Sequence, residues 1–310
     1  MIKLKLFQAI IRGLQDYAAP IITDYELFLM LRRAFATKHV KGQPIAIRKN
    51  YPSRADYKRV VEHLLEQRAL RPDIDFRRTG HEEFRNTVFR VVNVPDSKAE
   101  EITALVDPFC YISHLSAMQR YGLTNRAPKA LTLTTPAVAS WRKLRDAKVT
   151  RDYESDEYDD LRGADEFVMP LQRISFPDTV RGRGISRHET KYADQWQRIR
   201  NSNARLTTIG DTFVQMLEHP SWCGGMAHSL EVFENHAHTY RDEIISAVER
   251  CERPIVKVRA GYILEERLHV DDSRIKQWRR FAQRGSSRVL DPEKPFAPQF
   301  SENWMLSINV

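Results

Sequence analysis

Ser53-Arg54-Ala55-Asp56-Tyr57-Lys58-Arg59-Val60-Val61-Glu62-His63-Leu64-Leu65 is the stretch on which the fold is decided. A serine before a helical run, with an acidic residue three positions on, marks a helix start, because each side chain caps backbone N–H groups that the first turn leaves without partners. Tyr57, Val60, Val61, Leu64 and Leu65 recur three and four apart and so form one buried stripe. Arg54 and Lys58, four apart, share a face that points elsewhere, with Arg59 on its flank. A helix that packs by one side and offers cations near its N-terminus has what insertion into a DNA major groove requires.

Upstream, Leu4, Phe7, Ile10, Ile11 and Leu14 follow helical spacing as far as Ala18-Ala19-Pro20. Lys3 and Lys5 ahead of Ile10-Ile11 resemble the start of a signal peptide. Gln8 and Arg12 interrupt the apolar run and no small-residue cleavage site follows, so the segment reads as an amphipathic helix. Ile21-Ile22 is a very short strand, and Thr23 with Glu26 caps a second helix that carries Leu27, Phe28, Leu31 and Phe35. A loop with Gly42 and Pro44 then brings Arg48 and Lys49 up to Ser53. Downstream, Ile74–Phe76 and Thr87–Val92 alternate as strands around a polar tip, Arg77-Arg78-Thr79-Gly80-His81. Helix, short strand, helix, helix and basic hairpin is the order of a winged helix-turn-helix. Residues 1–92 are therefore predicted to bind duplex DNA through Arg48, Lys49, Arg54, Lys58 and Arg59, and through Arg77, Arg78, His81 and Arg85 at the hairpin.

Charge supports this placement. Residues 1–92 hold 18 Lys and Arg against 10 Asp and Glu, whereas the rest of the chain holds 31 of each. An excess confined to one small segment is the electrostatic footprint of a polyanion binder. At 310 residues the chain is long for one domain, and 42% apolar content suffices for two or three cores. No run approaches the ~20 apolar residues of a membrane span. Cys110, Cys223 and Cys251 are few, odd in number and widely spaced, which fits a reducing cytoplasm and excludes a disulfide frame or a Cys-based structural zinc. No cofactor or metal is expected.

The second part, residues 93–310, reads as mixed α/β, making the chain α+β as a class, with a subdivision near 105–205 and 206–310. Asp96–Leu105 is a polar linker helix. Ser113 or Ser116 opens a helix through Tyr121 that Gly122 closes, and Ala130–Thr135 is a strand. Arg151–Asp165 is an acidic connection. Phe167–Phe176 and Gly184–His188 are predicted strands, and Thr207 or Thr208 caps a helix through Leu217. Helices are predicted over 226–235, 239–251 and 272–283, with a last strand at Trp304–Val310.

Tyr111-Ile112-Ser113-His114-Leu115-Ser116-Ala117-Met118-Gln119-Arg120-Tyr121-Gly122-Leu123-Thr124 resembles the Y-I-S…S-A…G-L-T block of the AbiEi family, the antitoxins of type IV toxin–antitoxin systems. Arg205 through Pro220, continued by Ser221-Trp222-Cys223-Gly224-Gly225, resembles the family's T-x-x-x-T-x-x-D-x-L-x-x-P…G-G stretch. The family often has Pro-Glu-Arg before the threonine of this block, where Thr208-Ile209-Gly210-Asp211-Thr212 stands here. The resemblance implies a winged helix that represses its own operon at inverted repeats in the promoter. It also implies a second part, antitoxin-like, that counters a nucleotidyltransferase-like toxin in phage defence, without a stable complex. Both blocks also have plain structural readings, as capped helices and a glycine turn, so no residue of the second part inherits a role.

Other chemistries are weaker. Pro177-Asp178 followed by Glu189-Thr190-Lys191 fits the PD…(D/E)-x-K pattern of metal-dependent nucleases, but the pattern is short and Pro-Asp is an ordinary turn. Gly285-Ser286 lacks the following D-x-D that the toxin itself would need. His219, His228, His236 and His238 near Cys223 lack the tight paired spacing of zinc ligands. No catalytic residue is assigned, and the chain is expected not to be an enzyme. The alternative from another class is a stand-alone winged-helix regulator without a toxin partner.

Overall fold

A computed structural model describes residues 3–76, 88–153, 167–192, 194–285 and 288–310. The chain is mixed α and β. It begins α1 (Leu6–Gln15), β1 (Ile21–Thr23), α2 (Asp24–Thr37), β2 (His39–Val40), β3 (Gln43–Pro44), α3 (Arg54–Glu66), β4 (Leu70–Pro72), β5 (Val88–Val91) and α4 (Ala99–Val106). Next come β6 (Tyr111–Ile112), α5 (His114–Arg120), β7 (Leu131–Pro136), α6 (Val138–Tyr153), β8 (Thr179–Val180), β9 (Arg183–Thr190), β10 (Trp196–Arg198) and β11 (Arg205–Thr207). The remainder is α7 (Ile209–Glu218), α8 (Met226–His236), α9 (Arg241–Arg250), α10 (Pro254–Gly261), α11 (Ser273–Gln277), β12 (Phe300–Ser301) and β13 (Leu306–Ser307). Among the described residues no helix is long and apolar enough to cross a membrane.

Two compact units emerge from the contacts. The first comprises Met1–Cys110, Pro136–Ile185 and Asn201–Ala204; the second comprises Tyr111–Thr135, Ser186–Arg200 and Arg205–Val310. The contacts do not divide at residue 92, where charge alone would place the boundary. Trp141, Tyr153, Met169 and Leu171 bury themselves in the same core as Phe28, Leu31 and Leu64. Tyr25 donates to Asp152 at 2.8 Å, and the Arg32 guanidinium lies 4.7 Å from the centre of the Tyr153 ring. The predicted linker helix is likewise part of this unit, with Ala99, Ile102, Thr103, Ala104 and Val106 of α4 buried.

In the first unit, β1, β5 and β4 form an antiparallel sheet in the order β1-β5-β4, with Ile21 opposite Arg90 and Leu70 opposite Val91. The strand expected at Ile74–Phe76 lies earlier, at Leu70–Pro72. Ile74 is 82% exposed, whereas Leu70 is buried, so burial selects the earlier register. Phe167–Phe176 is not a strand. It runs as irregular chain, with Met169, Leu171 and Ile174 buried, and Pro170 removes a ladder donor. The β8–β9 hairpin turns through Arg181 and Gly182, both with positive φ (50° and 72°), the two-residue turn whose twist suits a hairpin.

The second unit holds a sheet in the order β10-β11-β6-β7, extended by the later residues of β9. Beside it, α7–α10 enclose a core that includes Phe213, Met216, Phe233, Ile244, Val258 and Trp304. Of the expected last strand, only Leu306–Ser307 pairs, with Phe300–Ser301. Gly261 makes room for Trp304: a Cβ at this position would land on the indole ring, which is fully buried. Gly261→Ala is therefore expected to cost about 1–3 kcal/mol through overpacking. A thermal melt checks this, and an unchanged midpoint would show that the indole can move aside.

Candidate functional site

The basic face of the first unit is built on α3. Ser53 accepts from the Asp56 N–H at 3.2 Å, and Asp56 accepts in return from the Ser53 N–H at 3.0 Å. Burial opposes the charge on Asp56, but these bonds and Lys49, 3.1 Å away, hold its carboxyl below the usual carboxylate range. The cap fixes where the helix starts, and so which residues of its first turns face out. Tyr57, Val60 and Leu64 are buried, and Tyr57 donates to Asp24 at the start of α2. The Phe28 and Tyr57 rings pack edge to face at 5.7 Å. Anchored by that side, α3 presents Arg54, Lys58 and Arg59 to solvent.

Of the residues predicted to touch DNA, Arg48, Lys49, Arg54, Lys58 and Arg59 are all exposed, on α3 and the loop leading into it. Lys49 is engaged with Asp56, so its charge serves the cap as well as the surface. Arg77, Arg78, His81 and Arg85 lie outside the described residues. Two cations counted in the charge excess are not surface groups. Arg32 is buried and donates to the Tyr153 carbonyl, and Arg90 is buried and donates to the carbonyls of Pro20, Val91 and Val94. Alongside α3, Lys5, Phe7, Asp56, Arg59 and His63 line a cavity of about 250 Å³, in which His63 stacks on Phe7 at 4.9 Å.

Sequence reasoning missed Arg181. From its turn position it donates to both oxygens of Asp73 (3.1 and 2.6 Å), pairs with Asp75, and lies 2.9 Å from Asp96. Its own N–H donates to Asp75 at 2.9 Å. No local signal announces this cluster, since Arg181 stands more than 100 residues from the Asp73-Ile74-Asp75 stretch that it holds.

In the second unit, the segments Tyr111–Thr124 and Arg205–Gly225 meet. Leu206 pairs with Ile112, Thr207 Oγ1 donates to the Ile112 carbonyl at 2.9 Å, and the His114 N–H donates to Gln215 Oε1 at 2.8 Å. Thr208 Oγ1 accepts from the Asp211 N–H and Gly122 closes α5 with φ 71°, as expected, but Ser113 makes no side-chain cap bond at the start of α5; its hydroxyl accepts from Thr134 instead. Asp178 is exposed, with its carbonyl accepting from Ile185 at 2.8 Å. Glu189 pairs with Arg187 at 3.2 Å, and Lys191 lies over the Tyr192 ring. His228 is bound to Thr124 at 2.9 Å. Among the described residues no group of three His, Cys, Asp or Glu is placed to hold a metal ion. Neither a protein-family model nor a curated protein sequence matches the chain.

Proposed function

We propose that the chain is a regulator that reads duplex DNA with α3, the first 92 residues acting as a winged helix-turn-helix. One observation carries the reading. A capped helix, packed by Tyr57, Val60 and Leu64, exposes Arg54, Lys58 and Arg59 in a segment whose other elements are two helices and an antiparallel sheet in the order β1-β5-β4. A helix that packs by one side and offers cations near its N-terminus is what the major groove admits. Selection of the full chain against a random duplex pool tests it. Enrichment of an inverted repeat is the expected result, and a pool left without a shared sequence would remove base reading from the account.

The regulator–antitoxin form of this reading rests on the resemblance of the two blocks in the second unit; the stand-alone regulator remains the alternative. On this proposal the protein represses its own promoter and counters a nucleotidyltransferase-like toxin, without a stable complex and without a catalytic step of its own. Co-expression decides between the two forms. The chain should restore growth to cells producing the neighbouring gene product, and a harmless neighbour would leave the stand-alone regulator.

A further inference from the structure

His114, His188, His219 and Trp222 come from four separate segments of the second unit: the start of α5, the end of β9, the residue after α7, and the 3-10 turn Pro220–Cys223. All four rings are in mutual contact. His188 lies 4.3 Å from Trp222 and 4.8 Å from His219, centre to centre, while His114 lies 5.3 Å from His188, 6.1 Å from His219 and 5.2 Å from Trp222. His114 is 1% exposed. Its Nδ1 is 2.9 Å from Ser113 Oγ, and its buried Nε2 has no hydrogen-bond partner among the described residues. No metal-holding group of three includes these rings. The species to which three clustered imidazoles then respond is the proton.

We propose that this four-ring cluster is a proton-operated switch: when its imidazoles take up protons, the rings separate and the Trp222 indole, 37% exposed, loses its contacts with the three imidazoles.

The surroundings are hostile to the charged rings. His114 is faced by His188 and His219; His188 by Arg253 and Glu189; His219 by Glu218 at 3.7 Å and by Arg253 and Arg259. Burial first, and then the neighbouring rings and arginines, push all three imidazoles down, His188 to about 4, with Glu189 opposing the shift of His188. Burial pushes the Glu218 carboxyl up to about 7, against Arg253 at 2.8 Å. As pH falls, Glu218 therefore takes its proton before the histidines do and ceases to offer them a countercharge. For each imidazole the folded pKa lies below the unfolded one. The imidazoles' contribution to the stability of this packing is thus complete above the ordinary histidine range and is lost as pH falls from about 6.5 towards about 4, while Glu218, whose folded pKa is raised, contributes in the opposite sense as it takes its proton.

The element that moves is His114 itself. Its φ of 49° is a left-handed conformation that a histidine adopts at a cost, and the bond from its N–H to Gln215 holds it there. Relief of ring repulsion and relief of backbone strain act in the same direction.

A pH titration of the emission of the full chain, with the Trp222→Phe variant subtracted, tests the proposal. The expected result is a cooperative change between about pH 6.5 and about 4, steeper than the uptake of one proton allows, with far-UV circular dichroism constant. In a His188→Gln/His219→Gln variant, whose sites are only half-buried, the change should shift to lower pH and lose its cooperativity. An unshifted change in that variant, or loss of helix signal with the same midpoint, would overturn the switch. So would a saturable emission change on adding zinc at neutral pH that the double variant lacks, which would make the cluster a metal site.

Discussion

Replacement of Arg181 by alanine is expected to destabilise the first unit by about 3–5 kcal/mol, the loss that follows when one partner of a buried charge cluster is removed. The guanidinium meets Asp73, Asp75 and Asp96 at once, and Asp73 is 1% exposed. Without Arg181, three carboxylates face each other around the cavity of about 340 Å³ that Arg71, Asp73, Arg90, Asp96 and Arg181 line. Arg90 cannot take over, because its guanidinium is committed to three carbonyls and reaches Asp96 only at 3.8 Å. Arg181→Lys should recover part of the loss, since an ammonium supplies the charge but not the two-pronged contact with Asp73. Opening free energies from amide hydrogen exchange in β1 and β5 provide the measurement. Wild-type protection in Arg181→Ala would mean that the carboxylates reach solvent unaided.

The second large effect concerns DNA. Arg54→Ala is expected to weaken binding to the preferred sequence by roughly 1–3 kcal/mol, with little change on unrelated duplex, if Arg54 bridges two acceptors of one guanine. Arg78→Ala, at the tip where the sequence places a phosphate contact, should weaken all sequences alike. The difference between specific and nonspecific affinity in each variant is the readout. Equal losses on both duplexes in both variants would remove α3 from the groove.

What the sequence discloses well is what is local. Thr23 with Glu26 and Ser53 with Asp56 lie within one helical turn of each other, and the bonds they predict are present. The buried stripes of α2 and α3 follow from spacing alone. Helix α6 was illegible because charges surround it, and only Trp141 and Tyr153 are buried. The strand at Leu70–Pro72 was displaced to Ile74 by alternation around a residue that proves exposed. Asp73 in that stretch is buried for the sake of Arg181, a partner that no window of the sequence contains.

The candidate surfaces divide in the same way. Arg54, Lys58 and Arg59 could be placed outside because the stripe they oppose was readable. Charge counting could not tell that Arg32 and Arg90 are interior hydrogen-bond donors. The ring cluster is illegible in the sequence for a related reason. His219 drew attention beside His228, His236 and His238, its neighbours in sequence, whereas its neighbours in space are His114 and His188. Those lie 105 and 31 positions away in the numbering, and only the sheet and the αL turn at His114 bring them together.

The account stands on electrostatic binding of duplex DNA by the face of α3. Fluorescence anisotropy of the full chain on duplex DNA from the region upstream of its own gene, taken from about 50 to about 200 mM salt, tests this most directly. Affinity is expected to fall steeply, with a log–log slope of about −0.9 for each phosphate neutralised, and a Lys58→Gln/Arg59→Gln variant is expected to show a slope shallower by about 2. An affinity indifferent to salt, or a double variant that binds as tightly and with the same slope as the wild type, would contradict it.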